Sequence, residues 1–181
     1  DSAALILGDN IFYGTGLQAT LQDCINPEGG IIFAYKVHNP ERYGVVSFDA
    51  SGKATSLEEK PKTPSSKFAV PGIYFYDNEV ISIAKKINPS PRGELEITDI
   101  NKAYLQNQKL QVQELDSGTA WLDTGTFTSL MKAAQFVQVL QERQGLRIGA
   151  IEEVAYQMGY INQEQHDTFI SPFIKSGYAK R

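Results

Sequence analysis

The sequence has very little that could bind a soft metal ion or form a disulfide framework. Cys24 is the single cysteine among 181 residues, and the two histidines, His38 and His166, are far apart in the chain. A lone cysteine excludes internal disulfides and cysteine-based zinc sites, and the two histidines lack the spacing of a zinc site. The candidate metal ligands that remain are carboxylates, which suit hard cations.

Long apolar runs and an excess of charge are also missing. No apolar run approaches the ~20 residues needed to span a bilayer, and no signal peptide is recognisable. The 17 basic and 21 acidic residues are scattered and leave a net charge of −4. No basic patch therefore indicates binding to nucleic acid or to an anionic membrane. The composition predicts a cytoplasmic globular protein of one domain, or of one domain with a small appendage.

Apolar runs and helical spacings alternate along the first part of the chain. Residues 3–7 form a continuous apolar run, and residues 30–37 form a second, largely apolar run. Both are typical of strands buried on both faces of a parallel sheet, and residues 17–25 between them have helical spacing. This order predicts a βαβ unit. Residues 45–57 are predicted to form a β-hairpin. The predicted fold is α/β: a Rossmann-like, mixed but mostly parallel sheet flanked by helices, with a hairpin excursion and C-terminal helices.

Asp9 and Asp123 each follow a short apolar strand. Ligands of open α/β sheets bind outside the carboxyl ends of strands, and Mg²⁺ takes one or two carboxylates together with water and phosphate oxygens. A shared cation would also offset the repulsion between two neighbouring carboxylates. Each residue has an alternative role as a cap, Asp9 of the next loop and Asp123 of the turn into a long helix.

Glu59 and Lys60 lie at the end of the predicted hairpin, directly before Pro61. Strand alternation would send the two side chains to opposite faces, unless the chain bends at the proline. If it bends, Lys60 can bind a phosphate and Glu59 can accept hydrogen bonds from sugar hydroxyls. The alternative is a solvated charge cluster.

Four further residues are candidates for a ligand site. Gly44 begins a strand, where its missing side chain would let a ligand approach the backbone, although a turn glycine is an equal alternative. Arg92 can bind a phosphate or carboxylate, or be merely exposed. Tyr74 and Trp121 can form apolar walls for a sugar ring, although aromatic residues more often pack in the core.

Seven ordered blocks resemble one known family, the sugar-1-phosphate nucleotidyltransferases. The blocks are LGDNIFYG (7–14), NPERYGVVSFD (39–49), SLEEKP (56–61), GIYFYDN (72–78), RGELEITDIN (92–101), AWLDTGT (120–126) and ERQGL (142–146). The resemblance implies the nucleotide-diphospho-sugar transferase type of fold. It also implies Mg²⁺ bound by Asp9 and Asp123, which with Lys60 form the catalytic set. The residues implied to contact the sugar phosphate are Gly44, Glu59, Lys60, Val70, Tyr74, Arg92 and Trp121.

The resemblance further implies a reaction and its partners. The complete enzyme would transfer a thymidylyl group from dTTP to α-D-glucose 1-phosphate, giving dTDP-glucose and pyrophosphate, as in dTDP-rhamnose biosynthesis. A UTP-dependent uridylyltransferase of the same sugar is one alternative. A noncatalytic regulatory subunit that binds sugar nucleotides is another.

One family motif has no counterpart in this sequence. Members begin with a strand and a Gly-rich GxGTR-type loop that binds the triphosphate. The chain is therefore expected to be the carboxy-terminal part of such an enzyme, inactive alone, with the sugar-phosphate and Mg²⁺ part at 1–146 and a helical extension at 147–181. Apolar surface around Leu5 and Leu7 is expected to be exposed, or covered in a homo-oligomer.

Overall fold

The computed structural model describes residues 1–145 and 147–176. Its strands are β1 (Ala3–Ile6), β2 (Asn10–Tyr13), β3 (Gly30–Lys36), β4 (Gly44–Phe48), β5 (Ala54–Glu59), β6 (Phe68–Ala69), β7 (Ile73–Tyr76), β8 (Leu110–Glu114) and β9 (Ala120–Asp123). Its helices are α1 (Leu17–Gln22), α2 (Val80–Ala84), α3 (Ile97–Gln106), α4 (Phe127–Gln144), α5 (Ile151–Gln157) and α6 (Gln163–Ile170), with 3₁₀ turns at Pro40–Arg42 and Ser171–Ser176.

The main sheet has the order β1-β7-β3-β6-β4-β5, with β8 also paired to β3. The predicted mixed α/β class is confirmed, but the prediction that the sheet is mostly parallel was wrong. Among the described strands only β3 and β8 form a parallel pair, and all other pairs are antiparallel. The cause is β7, which lies between β1 and β3 and runs opposite to both. The two strands of the predicted βαβ unit, β1 and β3, are therefore parallel to each other but are not hydrogen-bonded to each other.

The predicted hairpin is confirmed as the β4–β5 pair. Its turn is organised by Asp49, whose Oδ1 accepts hydrogen bonds from the backbone N–H groups of Ser51 (2.8 Å) and Lys53 (3.0 Å). The Ser51 hydroxyl also donates to this oxygen at 2.6 Å. That bond contributes most to lowering the pKa of Asp49, and the backbone bonds lower it further. The hairpin brings Gly44, at the start of β4, opposite Glu59, at the end of β5.

The core lies on both faces of β3, whose side chains alternate between them. Ile32 and Ala34 pack with Ile100 and Tyr104 of α3. On the other face, residues 31 and 33 pack with Cys24, Phe75 and Leu115. This two-sided burial confirms the interpretation of the second apolar run.

The first apolar run behaves differently. Leu5, Ile6 and Leu7 are 43%, 57% and 39% exposed, so the prediction that β1 is buried on both faces was wrong. The expectation of exposed apolar surface around Leu5 and Leu7 is confirmed. Such surface, on a strand at the edge of a sheet, favours association with another polypeptide.

The chain forms two compact units, of which the first is Asp1–Thr126 and the second begins at Phe127. The first contains the described strands and α1 to α3, and the second contains α4, α5 and α6. Within the described ranges, no helix is both long and apolar enough to cross a membrane. The division between the compact units falls after Thr126, and the boundary predicted at residue 146 stays a prediction. Residue 146 and residues 177–181 lie outside the part described.

Gly29, where the chain enters β3, is a position that only glycine suits. Its φ is +106°, and a Cβ atom would lie 2.1 Å from the backbone oxygen of Lys109. We expect Gly29→Ala to lower the free energy of unfolding of the chain by about 3 kcal/mol or more. Gly52 also has a positive φ of +81° but open space around it. Gly52→Ala should therefore cost only about 1 kcal/mol. Urea unfolding followed by circular dichroism measures the free energy of unfolding of both variants. Equal losses of stability in the two variants would contradict the steric argument.

Candidate functional site

Two strands outside the main sheet bring Asp9 and Asp123 together. In the antiparallel β2–β9 pair, Asn10 lies opposite Asp123, and the backbone N–H of Thr124 donates to the backbone oxygen of Asp9 at 2.8 Å. A Cβ atom at Gly125 would lie 3.4 Å from Asp9 Oδ2 and 4.0 Å from Asp123 Oδ2. The two oxygens are thus no farther apart than the sum of these distances, and both face the space beside Gly125.

Asn10 orients one of these carboxylates. Its side-chain Nδ2 donates to Asp9 Oδ1 at 2.8 Å. Its Oδ1 accepts from the backbone N–H of Gly72 at 3.1 Å and from Trp121 Nε1 at 2.6 Å. Sequence reasoning missed this role, although an amide directly after a candidate carboxylate was a signal for it. Asn10 connects β2, β9 and the start of β7 at the site.

Arg42 and Tyr43 hold the other carboxylate. Arg42 Nη2 lies 2.9 Å from Asp123 Oδ2, and the Tyr43 hydroxyl donates to Asp123 Oδ1 at 3.1 Å. Burial raises the pKa of Tyr43, and the charge of Asp123 raises it further against an opposing effect of Arg42. The tyrosine therefore stays protonated and remains a hydrogen-bond donor. Sequence reasoning did not select these two residues, which immediately precede Gly44.

The chain does bend between Glu59 and Pro61, and Lys60 makes the bend. Lys60 has φ +42°, in the left-handed region that side chains other than glycine rarely adopt. Its backbone N–H donates to the backbone oxygen of Tyr43 at 3.0 Å. The β-alternation is interrupted there, so Glu59 and Lys60 line the same cavity. Strain of this kind costs about 1–3 kcal/mol and is characteristic of ligand sites.

Glu59 lies between a hydroxyl and two cations. Thr98 Oγ1 donates to its Oε2 at 2.5 Å, while Lys60 Nζ and Arg92 Nη1 lie 3.9 Å and 3.7 Å from its Oε1. A Cβ atom on Gly44 would lie 3.2 Å from Thr98 Oγ1 and 3.4 Å from Glu59 Oε2. The missing side chain of Gly44 therefore leaves room for these groups, which explains why a glycine suits this position even apart from any turn.

Tyr74 supplies a neutral phenol to the same space. Burial raises its pKa well above the usual range, and the negative charges of Glu59 and Asp9 raise it further. The ring stacks on Tyr76 at a centroid distance of 6.2 Å. Because the phenol stays protonated, Tyr74 can donate a hydrogen bond without adding charge.

These groups converge on one cavity of about 270 Å³ in the first unit, close to the lower limit of about 300 Å³ for small-molecule sites. Eight of the nine residues selected from the sequence line it: Asp9, Gly44, Glu59, Lys60, Val70, Tyr74, Trp121 and Asp123. The ninth, Arg92, is connected to it through Glu59. The arrangement combines a carboxylate pair, a lysine, neutral hydrogen-bonding groups and an aromatic wall, which is suited to a polar ligand that carries phosphate.

The carboxylate pair fits a hard cation. Among the described residues, no cluster of three or more His, Cys, Asp and Glu side chains could hold a metal ion. Mg²⁺ does not need such a cluster, since one or two carboxylates with water and phosphate oxygens complete its octahedron. Asp9 Oδ2 and Asp123 Oδ2, which face the same space beside Gly125, are therefore chemically suitable ligands.

The chain matches known proteins over most of its length. A family model described as nucleotidyl transferase matches residues 1–139. A glucose-1-phosphate thymidylyltransferase of Mycolicibacterium smegmatis is 57% identical over 178 residues, which are 98% of this chain and 62% of that protein. The chain thus spans less than two thirds of the length of this relative.

Solved structures agree on the architecture. A protein from Bacillus anthracis described as a glucose-1-phosphate thymidylyltransferase, crystallised with sucrose, superposes with a TM-score of 0.65 at 42% identity, over 75% of this chain and 54% of the other. A UDP-glucose pyrophosphorylase in complex with UDP-glucose gives a TM-score of 0.63 at 18% identity, over 75% of this chain and 55% of the other. The second likeness shows the fold alone.

Proposed function

Since the chain belongs to the nucleotidyl transferase family, we propose that it is the sugar-phosphate and cation-binding part of a glucose-1-phosphate thymidylyltransferase. The complete enzyme would convert α-D-glucose 1-phosphate and dTTP to dTDP-glucose and pyrophosphate. The observation that carries the proposal is the convergence of Asp9, Asp123, Glu59 and Lys60 on one cavity, together with the 57% identity to a relative of that name.

The roles of the residues follow from their chemistry. Lys60 holds the phosphate of the sugar by its charge, and Glu59, oriented by Thr98, accepts hydrogen bonds from sugar hydroxyls. Asp9 and Asp123 would hold Mg²⁺, which neutralises phosphate charge when bound.

The other lining groups shape the sugar site. Gly44 lets the sugar approach the backbone, Tyr74 donates a hydrogen bond, and Val70 and Trp121 form the apolar walls. Arg92, through its pair with Glu59, holds that carboxylate in place and offsets its charge. A phosphate oxygen of the sugar attacks the α-phosphorus of dTTP in line, the new P–O bond forms and pyrophosphate leaves. Catalysis is positioning with electrostatic stabilisation and needs no covalent intermediate.

The proposal extends to partners and location. The partners are glucose 1-phosphate, dTTP and dTDP-glucose, with no role for nucleic acid or membrane. The product would serve dTDP-rhamnose biosynthesis in the cytoplasm. For the 181-residue chain itself, a homo-oligomer is proposed because apolar side chains are exposed around β1, where Leu5, Ile6 and Leu7 lie.

The test separates binding from catalysis. Trp121 is the single tryptophan of the chain and lies in the cavity, so its fluorescence should report glucose 1-phosphate binding in the presence of Mg²⁺. Glucose, which lacks the phosphate, is the matched control and should bind much more weakly. A response equal for both compounds would contradict a sugar-phosphate site.

A second assay measures pyrophosphate release from dTTP and glucose 1-phosphate. We expect none from the 181-residue chain. We expect turnover once the part of the M. smegmatis relative that has no counterpart here is joined to the chain. Turnover of about 1 s⁻¹ or more by the chain alone would show that the triphosphate site is misplaced. A joined protein that binds substrates but releases no pyrophosphate would favour the regulatory-subunit alternative, and a preference for UTP would favour the uridylyltransferase.

A further inference from the structure

Arg42 forms an ion pair with a carboxylate oxygen that a cation at the site would need as a ligand. Its Nη2 lies 2.9 Å from Asp123 Oδ2, the same oxygen that faces Asp9 Oδ2 across the space beside Gly125. The other oxygen of Asp123 accepts from the Tyr43 hydroxyl. The guanidinium therefore lies on the cation-facing side of the carboxylate, and the phenol lies on the other side.

The surroundings of Arg42 allow it to leave. Its side chain is 44% exposed, whereas that of Asp123 is 21% exposed. The guanidinium carbon also lies 5.3 Å from the centre of the Tyr43 ring, and this cation–π contact does not depend on Asp123. Tyr43 continues to orient Asp123 through Oδ1 when the ion pair opens. Arg42 can thus move without disturbing the carboxylate.

The other cations near the cavity are engaged differently. Lys60 and Arg92 both lie beside Glu59, and Arg92 also pairs with Glu94 and Glu96. The contact with the carboxylate pair is made by Arg42. Because arginine keeps its charge at every physiological pH, this pair is present until another positive charge competes for the oxygen.

We propose that Arg42 is an internal counter-ion of Asp123 that competes with the divalent cation for Oδ2 and so sets the cation affinity of the site. A guanidinium and a divalent cation on the same oxygen repel each other, so cation binding at Asp9 and Asp123 requires release of Arg42. Arg42 lines the cavity in its paired position, so a released guanidinium would stay close enough to meet an anionic ligand there. The inference rests on the proposed function, since it assumes the cation site.

The experiment uses Mn²⁺ as the probe and the fluorescence of Trp121 as the readout, because the Trp121 ring lies 4.8 Å from the Tyr43 ring. Quenching by Mn²⁺ is titrated in the unmodified chain, Arg42→Gln, Lys60→Gln and Asp123→Asn. We expect Arg42→Gln to bind Mn²⁺ about three- to tenfold more tightly, on the scale of losing one exposed ion pair and its charge repulsion. Lys60→Gln removes the same charge from the same cavity, but Lys60 pairs with Glu59 and not with Asp123, so this variant should raise the affinity clearly less than Arg42→Gln does.

The outcomes separate the two proposals. Unchanged or weaker binding in Arg42→Gln overturns the competition, as does an equal gain in Lys60→Gln, which would indicate a general field effect. In the double variant with Asp123→Asn the gain should vanish, and a gain that persists also overturns it. If Asp123→Asn binds Mn²⁺ as well as the unmodified chain, Asp123 is not a ligand of the cation, and its proposed role fails together with the inference. Circular dichroism checks that every variant is folded.

Discussion

Asp123→Asn should lower turnover of the complete enzyme by about a hundred- to ten-thousandfold, the scale of losing a principal electrostatic contribution to catalysis. The amide has the same shape and can still accept from Tyr43, whose hydroxyl lies 3.1 Å from Oδ1. It lacks the charge that a cation requires and that Arg42 neutralises at 2.9 Å. Pyrophosphate release measured as a function of Mg²⁺ concentration should show both a lower maximum and a weaker Mg²⁺ dependence.

Asp116 provides a matched control on the approach to the same strand. It is exposed, and its Oδ1 accepts from the backbone N–H of Gly118 at 2.8 Å, but it does not line the cavity. Asp116→Asn removes the same charge and should leave the turnover within about twofold, in the usual range of surface substitutions. Similar losses in both variants would mean that Asp123 acts through folding and not through a cation.

Local patterns explain why much of the site could be predicted from the sequence. An apolar strand followed by a carboxylate is visible at Asp9 and Asp123 without knowledge of the fold. The hairpin was predictable because its turn is stabilised locally by Asp49. The family resemblance added residues that no local pattern selects, such as Val70, which lies two positions before the block at 72–78.

Local patterns of this kind could not predict the direction in which neighbouring strands run. A continuous apolar run is compatible with either orientation of its neighbours, and β7 enters between β1 and β3 only through a long-range pairing. The exposure of β1 has the same origin, because burial depends on which elements cover a strand and not on its own residues. Leu5 and Leu7 have the composition of a buried strand and yet are exposed.

The positioning residues were missed for a related reason. Arg42 and Tyr43 reach Asp123 across 81 and 80 positions of sequence, and Asn10 reaches Trp121 across 111 positions. The contacts of Arg42 and Tyr43 exist because the β2–β9 pair lies beside the start of β4, and the contact of Asn10 exists because β2 pairs with β9. Both arrangements are properties of the tertiary structure. Only the identity of these residues as good hydrogen-bonding groups was present in the sequence.

Lys60→Ala should weaken the use of glucose 1-phosphate by the complete enzyme by roughly ten- to a thousandfold, the scale of losing one charged positioning contact. The loss should appear mainly in the KM for glucose 1-phosphate if Lys60 holds the phosphate equally in the ground state and the transition state. The left-handed φ of +42° does not confound the comparison. Alanine and lysine both carry a Cβ atom and pay similar strain there, so the variant tests the ammonium group.

Two further substitutions decide between charge and backbone geometry. Lys60→Gly relieves the left-handed strain and also removes the charge, so it should be at least as stable as Lys60→Ala and equally impaired in binding the sugar phosphate. Lys62→Ala removes a charge two positions further along, from an exposed residue that does not line the cavity, and should leave the KM unchanged. If Lys62→Ala raises the KM as much as Lys60→Ala does, the loop acts through its overall charge, and Lys60 belongs to a solvated cluster. If Lys60→Ala alone raises it, the bend at Lys60 exists to aim one ammonium group at the phosphate.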